Sequence, residues 1–235
     1  MPEAPDLQVV REFLEPRLVG RKLTSALEVR PLVVRNLVGK PLTADAPGRS
    51  VDRLWRHGKL LFLELSGDRV LVINPMLAGG LRYCRSGDRV AASTFVRFGF
   101  DDGNELRYFD ARKMGMVYYG TSEQARDVPR VEDQGPDVLD ERLPIEKFIE
   151  RLKPYRGEIK GVLTRGWVVS GVGNAYADEI LFDARIFPFK KRTSLSDDEI
   201  ARLHESSYSV PRRALEVLRR RVGVDIHVKL RDFLQ

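Results

Sequence analysis

Apolar residues near the start of the chain recur at helical spacing. Leu7, Val10, Leu14 and Leu18 are separated by three or four positions, and Asp6 stands where an N-cap would stand. Gly20 closes this pattern, and the stretch KLTSALEV after it alternates like a strand. From about residue 50 the period shortens. Segments 51–55, 60–65, 70–73, 81–83, 94–98, 106–109 and 116–119 are short and rich in apolar, β-branched or aromatic residues. Turn signals separate them: His57-Gly58, Ser66-Gly67-Asp68, Ser86-Gly87-Asp88 and Asp101-Asp102-Gly103. Such spacing predicts an antiparallel sandwich or barrel. Residues 125–143 are rich in Asp, Glu, Arg and Pro and read as a linker. After Pro144 the helical period returns: Ile145, Phe148, Ile149 and Leu152 make one stripe, and further helices are expected at 159–163 and 175–182. Ser196 with Glu199 spells a capping box for a fourth helix. Pro211 should kink that helix or begin another, the last carrying residues 214–218. The class is therefore α+β: an N-terminal antiparallel β-sandwich with a leading helix over 1–124, a linker over 125–143, and a helical domain over 144–235.

Composition narrows the partner. Among 235 residues, 40 Lys and Arg face 34 Asp and Glu, for a formal charge of +6, which suits a polyanion before anything else. Cys84 is the only cysteine, so neither an intrachain disulfide nor a Cys-based metal site can form, in keeping with a reducing compartment. Its place in an apolar alternating stretch reads as a buried structural thiol. No apolar run is long enough to span a membrane, and the acidic, proline-rich MPEAPD is no secretory signal. A cytoplasmic protein is expected.

Three places carry chemistry. Removal of Met1 ahead of the small Pro2 would leave a secondary amine, and α-amino groups titrate near neutrality, at about 7.7–8.0. Such an amine attacking a sugar C1′ gives an iminium directly, with Glu3 adjacent to move a proton. Second, Arg56-His57-Gly58-Lys59 puts a cation at a strand entry. Third, Lys160 precedes Ser170-Gly171-Val172-Gly173-Asn174-Ala175-Tyr176-Ala177-Asp178-Glu179, where glycines before a helix leave N–H groups open to a phosphate. Each also has a plain structural reading: a common Met-Pro start, a solvated turn lysine, and a tight helix–turn–helix.

Together the motifs are more specific. MPEAPD, HGKLLFLEL, DARKMG, QGPDVL and IKGVLTRGWVVSGVGNAYADEILFDARIFP occur in the order seen in the formamidopyrimidine-DNA glycosylase/endonuclease VIII family, and the resemblance runs from Met1 to about Phe233. It implies a β-sandwich plus a helical domain with a helix–two-turn–helix, and damaged or abasic duplex DNA in the cleft between them. It further implies a bifunctional glycosylase and abasic-site lyase of base excision repair, monomeric, held at the bacterial nucleoid by DNA. Carried over by position, Pro2 resembles the Schiff-base nucleophile and Glu3 the acid/base, with Asp6 where the family usually has Glu. Lys59 resembles the lysine that contacts phosphate and assists β-elimination. Lys160 and Asn174, beside Gly173 and Tyr176, resemble phosphate clamps, and Arg112 resembles the arginine that fills the gap left by an extruded nucleotide.

The chain also departs from that pattern. Leu77 stands for the void-filling Met, unless Met76 substitutes, and Met114 stands for the Phe of the arginine loop. The usual Asp-Gln is Arg165-Gly166. The segment before Leu230-Arg231-Asp232-Phe233 is short where purine-specific members have a longer loop, which argues against oxidised guanine. The sequence stops at Gln235, where the family enters a four-cysteine zinc finger: either the protein lacks the finger or the sequence is truncated. No metal or other cofactor is expected in this chain, and without the finger β-elimination should be favoured over δ-elimination. Loss of the finger and altered wedges would also suit a non-catalytic damaged-DNA binding protein. An MPE start with Lys59 argues against that alternative.

Overall fold

A computed structural model describes residues 1–228, Leu230 and Asp232. The motif at 230–233 thus lies only partly within the described residues, and position 235 lies outside them. Helix α1 (Ala4–Leu18) begins earlier than its apolar period suggested. Glu3, not Asp6, is the N-cap. Asp6 is the third helical residue, and its carboxylate accepts the Glu3 N–H at 2.8 Å in a reciprocal capping box. Pro5 fits this first turn because an N–H there has no helical partner to lose.

Nine strands follow among the described residues: β1 (Leu23–Glu28), β2 (Val34–Asn36), β3 (Val51–His57), β4 (Leu60–Leu65), β5 (Arg69–Asn74), β6 (Gly79–Arg85), β7 (Thr94–Phe100), β8 (Asn104–Asp110) and β9 (Met116–Gly120), with the short helix α2 (Leu42–Asp45) before β3. They form a four-stranded sheet, β1-β7-β8-β6, and a five-stranded sheet, β2-β9-β5-β4-β3. Every strand segment read from the sequence lies on one of these. The addition is β2, which pairs parallel to β9 from Val34↔Val117 to Asn36↔Tyr119, so the sandwich is not wholly antiparallel. Leu61, Leu63, Leu71 and Ile73 face the main core with Leu7, Val10 and Leu14 of α1. The alternate residues Leu60, Phe62, Val70 and Val72 are covered on the outer face by Ala125 and Val128. The run LLFLEL is therefore apolar on both faces because both faces are covered. Residues 125–131 are packed, not merely connecting. Cys84 is half-buried on β6, less enclosed than its surroundings in the sequence suggested.

Four helices make the second core: α3 (Ile145–Leu152), α4 (Ile159–Thr164), α5 (Asn174–Asp183) and α6 (Asp197–Arg221). Ser196 caps α6 as read, its Oγ accepting the Glu199 N–H and its own N–H reaching the Glu199 carboxylate. Pro211 neither ends α6 nor starts another helix; one 25-residue helix runs through it. The missing N–H leaves one carbonyl without a helical donor, but packing on both sides of the break holds the helix. Leu203 and Tyr208 belong to the helical core, whereas Leu215, Leu218 and Val222 belong to the sandwich core. Arg219 of α6 meets Glu12 of α1 at 2.7 Å. Ala4 crosses the other way, into the helical core. Among the described residues no helix is long and apolar enough to cross a membrane.

Candidate active site

The N-terminal segment is fastened to the helical domain by the Glu3 side chain and the Ala4 N–H. The Glu3 carboxylate is buried and accepts three backbone N–H groups at the start of α5: Gly173 at 2.5 Å, Ala175 at 3.1 Å and Tyr176 at 3.2 Å. The Ala4 N–H donates to the Gly171 carbonyl at 2.9 Å. Both glycines are required by this approach. A Cβ on Gly173 would meet Glu3 Cδ at 2.6 Å, and one on Gly171, whose φ is +91°, would meet Ala4 Cβ at 2.5 Å. The N–H groups expected to be open to a phosphate are taken up here by this carboxylate. The helix N-terminus does bind an anion, as its dipole favours, but the anion is the protein's own carboxylate.

Lys59 sits in the two-residue turn between β3 and β4, where Gly58 has φ +56°. Its Nζ donates to the Val172 carbonyl at 3.0 Å, beside the same α5 terminus. Burial pushes the Lys59 ammonium below its ordinary value, the Glu3 carboxylate opposes that, and the Arg130 charge adds to the lowering. The turn is held from beneath by a buried pair that the sequence reading gave no role. Arg56 binds Asp137 through both nitrogens, at 2.5 and 2.8 Å, while the Gly58 N–H donates to the same carboxylate at 2.7 Å. The signal was present: RHGK and QGPD each set the charge of this pair two residues from a glycine.

Two cavities meet at the N-terminus. The first, of about 390 Å³, is mainly apolar; Leu7, Leu61, Ile73, Leu81, Phe109 and Ile226 are among its walls, with Pro2 and Leu77 at its edge. The second is cationic and is bounded by Pro2, Lys59, Arg130, Gln134 and Arg165. Met1 and Pro2 line both. Asp6 also lines the first.

The expected wedge residues come together at one edge of the sandwich. Leu77 stands exposed on the β5–β6 turn, and Arg112 and Met114 stand exposed on the β8–β9 loop. The buried Asp110 carboxylate organises that loop by accepting the N–H groups of Arg112, Met114 and Gly115 at 2.7–2.8 Å. A Cβ on Gly115 would lie 2.8 Å from the Asn74 carbonyl, so loop and turn are in contact. Other expected residues are placed differently. Lys160 is tied to Asp178 at 2.8 Å. Asn174 is exposed at the head of α5, and Tyr176 is buried beneath it. The described residues hold no cluster of three His, Cys, Asp or Glu able to bind a metal, and one cysteine cannot supply a four-cysteine zinc site.

Two domain models match the chain: the formamidopyrimidine-DNA glycosylase N-terminal domain over residues 1–117 and the formamidopyrimidine-DNA glycosylase H2TH domain over residues 134–224. The formamidopyrimidine-DNA glycosylase of Symbiobacterium thermophilum is 35% identical over 216 residues, covering 92% of this chain and 70% of its own length. That of Corynebacterium efficiens is 37% identical over 228 residues, covering 92% and 79%. The Lactococcus lactis Fpg protein, solved with THF-DNA and an inhibitor, superposes with a TM-score of 0.88 at 28% identity, covering all of this chain and 87% of that one. Fold and matches together define the class of protein as a DNA glycosylase, an enzyme of base excision repair. Within that class, the chain belongs to the formamidopyrimidine-DNA glycosylase family.

Proposed function

We propose that this glycosylase removes a damaged base by attack of the Pro2 amine on C1′ of an extruded nucleotide in duplex DNA, and then opens the strand by β-elimination. The observation that carries this reading is the position of Pro2 at the junction of an apolar cavity and a cationic one. The apolar cavity falls in the size range of small-molecule sites and suits a flat heterocycle. The cationic cavity, of only about 30 Å³, is too small to enclose a sugar-phosphate, but its cations suit a phosphate lying at its mouth. Removal of Met1, which lines both, leaves the imino nitrogen facing each.

The lone pair of that nitrogen forms the C1′–N bond as the glycosidic bond breaks, and the base leaves with the bonding electrons and takes up a proton. Loss of the amine proton and ring opening, with a proton delivered to O4′, give the iminium. Abstraction of a C2′ proton then expels the 3′ phosphate with the electrons of its C–O bond. Glu3, fixed on the start of α5 beside Pro2, is the proton carrier at the sugar. Lys59, lowered by burial, contacts the phosphate and assists the elimination. Asp6 holds the Glu3 N–H and so orients the first turn. Leu77, Arg112 and Met114 fill the space that the extruded nucleotide vacates. Relatives from Lactococcus lactis have been solved with DNA containing Fapy-dG and with DNA containing an abasic site, and we carry both classes of lesion over as substrates, giving the Fapy-dG complex more weight than the short segment before Leu230 that argued against oxidised guanine.

Borohydride trapping tests the reading. Mature protein incubated with abasic or Fapy-containing duplex and reductant should yield a covalent adduct, and Pro2→Gly should trap far more slowly. Absence of any adduct, or equal trapping by Pro2→Gly, overturns it.

A further inference from the structure

We infer that Arg130 and Arg165 form, with Lys59, a three-cation clamp for a phosphodiester of the strand whose sugar Pro2 attacks. The inference rests on the proposed function for the identity of that strand. Three separate elements bring these charges to one cavity. Lys59 comes from the β3–β4 turn, Arg130 from the segment that leaves the sandwich, and Arg165 from the C-terminal cap of α4.

The placement is built. Arg130 has φ +71°, a conformation that side chains other than glycine rarely adopt. Its carbonyl accepts from the Gln134 amide, and the oxygen end of that amide rests against Gly58, where a Cβ would clash with it. Gly135 then donates to the Gly166 carbonyl at 2.7 Å, which fixes Arg165 relative to Arg130. The Arg165 guanidinium stands 5.2 Å from the Trp167 ring centroid, and Trp167 is itself stacked on Tyr155. Cation–π contact and stacking thus hold this side chain without neutralising it.

Neutralisation is what both arginines lack. Among the described residues, neither pairs with a carboxylate, whereas many other arginines of the chain do, including Arg11, Arg49, Arg56, Arg69, Arg97 and Arg107. The one carboxylate near Lys59, Glu3, is engaged with the α5 N–H groups. The Arg130 charge already acts against that of Lys59, Arg165 lines the same cavity, and an anion bridging these groups removes the repulsion. A phosphodiester supplies two oxygens for the planar guanidinium forks.

The test is equilibrium binding to a duplex carrying a tetrahydrofuran abasic analogue, measured by fluorescence anisotropy from 50 to 200 mM salt. Each phosphate contact contributes about 0.9 to the slope of log affinity against log salt. Arg130→Gln and Arg165→Gln should each flatten that slope by about 0.9 and weaken binding about tenfold at moderate salt, the scale of one charge-assisted hydrogen bond. Arg165→Lys should keep the slope. The analogue cannot form an adduct with an amine. The slope therefore reports on the clamp even where trapping fails, and trapping reports on Pro2 even where the slope is unchanged. Unaltered slope and affinity in both Gln variants overturn the inference. So does a loss that accompanies a lower urea midpoint and is not rescued by Lys.

Discussion

The carboxylate on the start of α5 makes Gly173→Ala the most informative single substitution. Gly173 has φ −119° and ψ −159°, which alanine adopts without strain, so the change acts through one new methyl group. That methyl would lie 2.6 Å from Glu3 Cδ and 2.7 Å from Glu3 Oε1, about 0.8 Å inside the 3.4 Å of ordinary contact. Relaxation must move the carboxylate off the Gly173, Ala175 and Tyr176 N–H groups, or move the start of α5. Hydrogen bonds to a charged group are each worth about 1.5–3 kcal/mol and do not add fully, so we expect a loss of about 3 kcal/mol. For a chain of this length that lowers the unfolding midpoint by roughly 6–12 °C. A reacting group displaced by close to 1 Å loses about 10²-fold in rate, so single-turnover borohydride trapping should fall by that order. Thermal unfolding and trapping on the same preparation check the two effects together. Wild-type midpoint and wild-type trapping would refute the reasoning. A selective loss of DNA affinity at unchanged stability would return the GVGN turn to phosphate binding.

Two further outcomes follow from buried charges. Asp137→Asn should destabilise by about 3–5 kcal/mol in urea unfolding, because the Arg56 guanidinium, 3% exposed, would be left without its anion; a change under about 1 kcal/mol would sink the assignment. Asp45 gives a pH dependence. Burial pushes its carboxyl up, but hydrogen bonds from Tyr119, Arg69 and Arg49 outweigh burial and bring it from 3.8 to about 2. A lowered folded value stabilises above the unfolded value and fades as pH falls through the folded one. The shift corresponds to about 2 kcal/mol, or about 1 kcal/mol after allowance for solvent screening. The stability gap between wild type and Asp45→Asn should be flat from pH 7 to 5 and narrow by pH 3; a gap that widens on acidification contradicts it.

The strands and helices were legible because each buries a face over several residues, which leaves a period in the sequence. β2 left none: three residues, VRN, with Val34 alone buried, show no alternation. The start of α1 was misplaced because both members of a capping box are carboxylates here. Periodicity cannot say which one caps, and the answer depends on α5 receiving the Glu3 side chain. Pro2, Glu3 and Lys59 could be picked out by chemical type, and their convergence could not. The partners of Glu3 lie some 170 residues away, and Arg56 and Asp137 are 81 apart. The glycines of GVGN allowed two readings for a physical reason. A turn cut back to admit a phosphate and one cut back to admit a carboxylate from another part of the chain look the same in sequence.

That convergence ties the site to the joint between the two cores. Ala4 is packed in the helical core, and Leu7, three residues on, is packed in the sandwich core. Pro2 is therefore positioned by neither domain alone. α6 spans the same joint from its other end, through Leu203 on one side and Leu218 on the other. Any motion that parts the two cores must draw Glu3 from α5 or break the single helix through Pro211, and either displaces the amine. The arrangement favours a cleft whose walls keep their spacing while the nucleotide, not the protein, rotates into place. If Pro2 is the nucleophile proposed above, an extruded nucleotide would find the nitrogen, the carboxylate and the cations already in position.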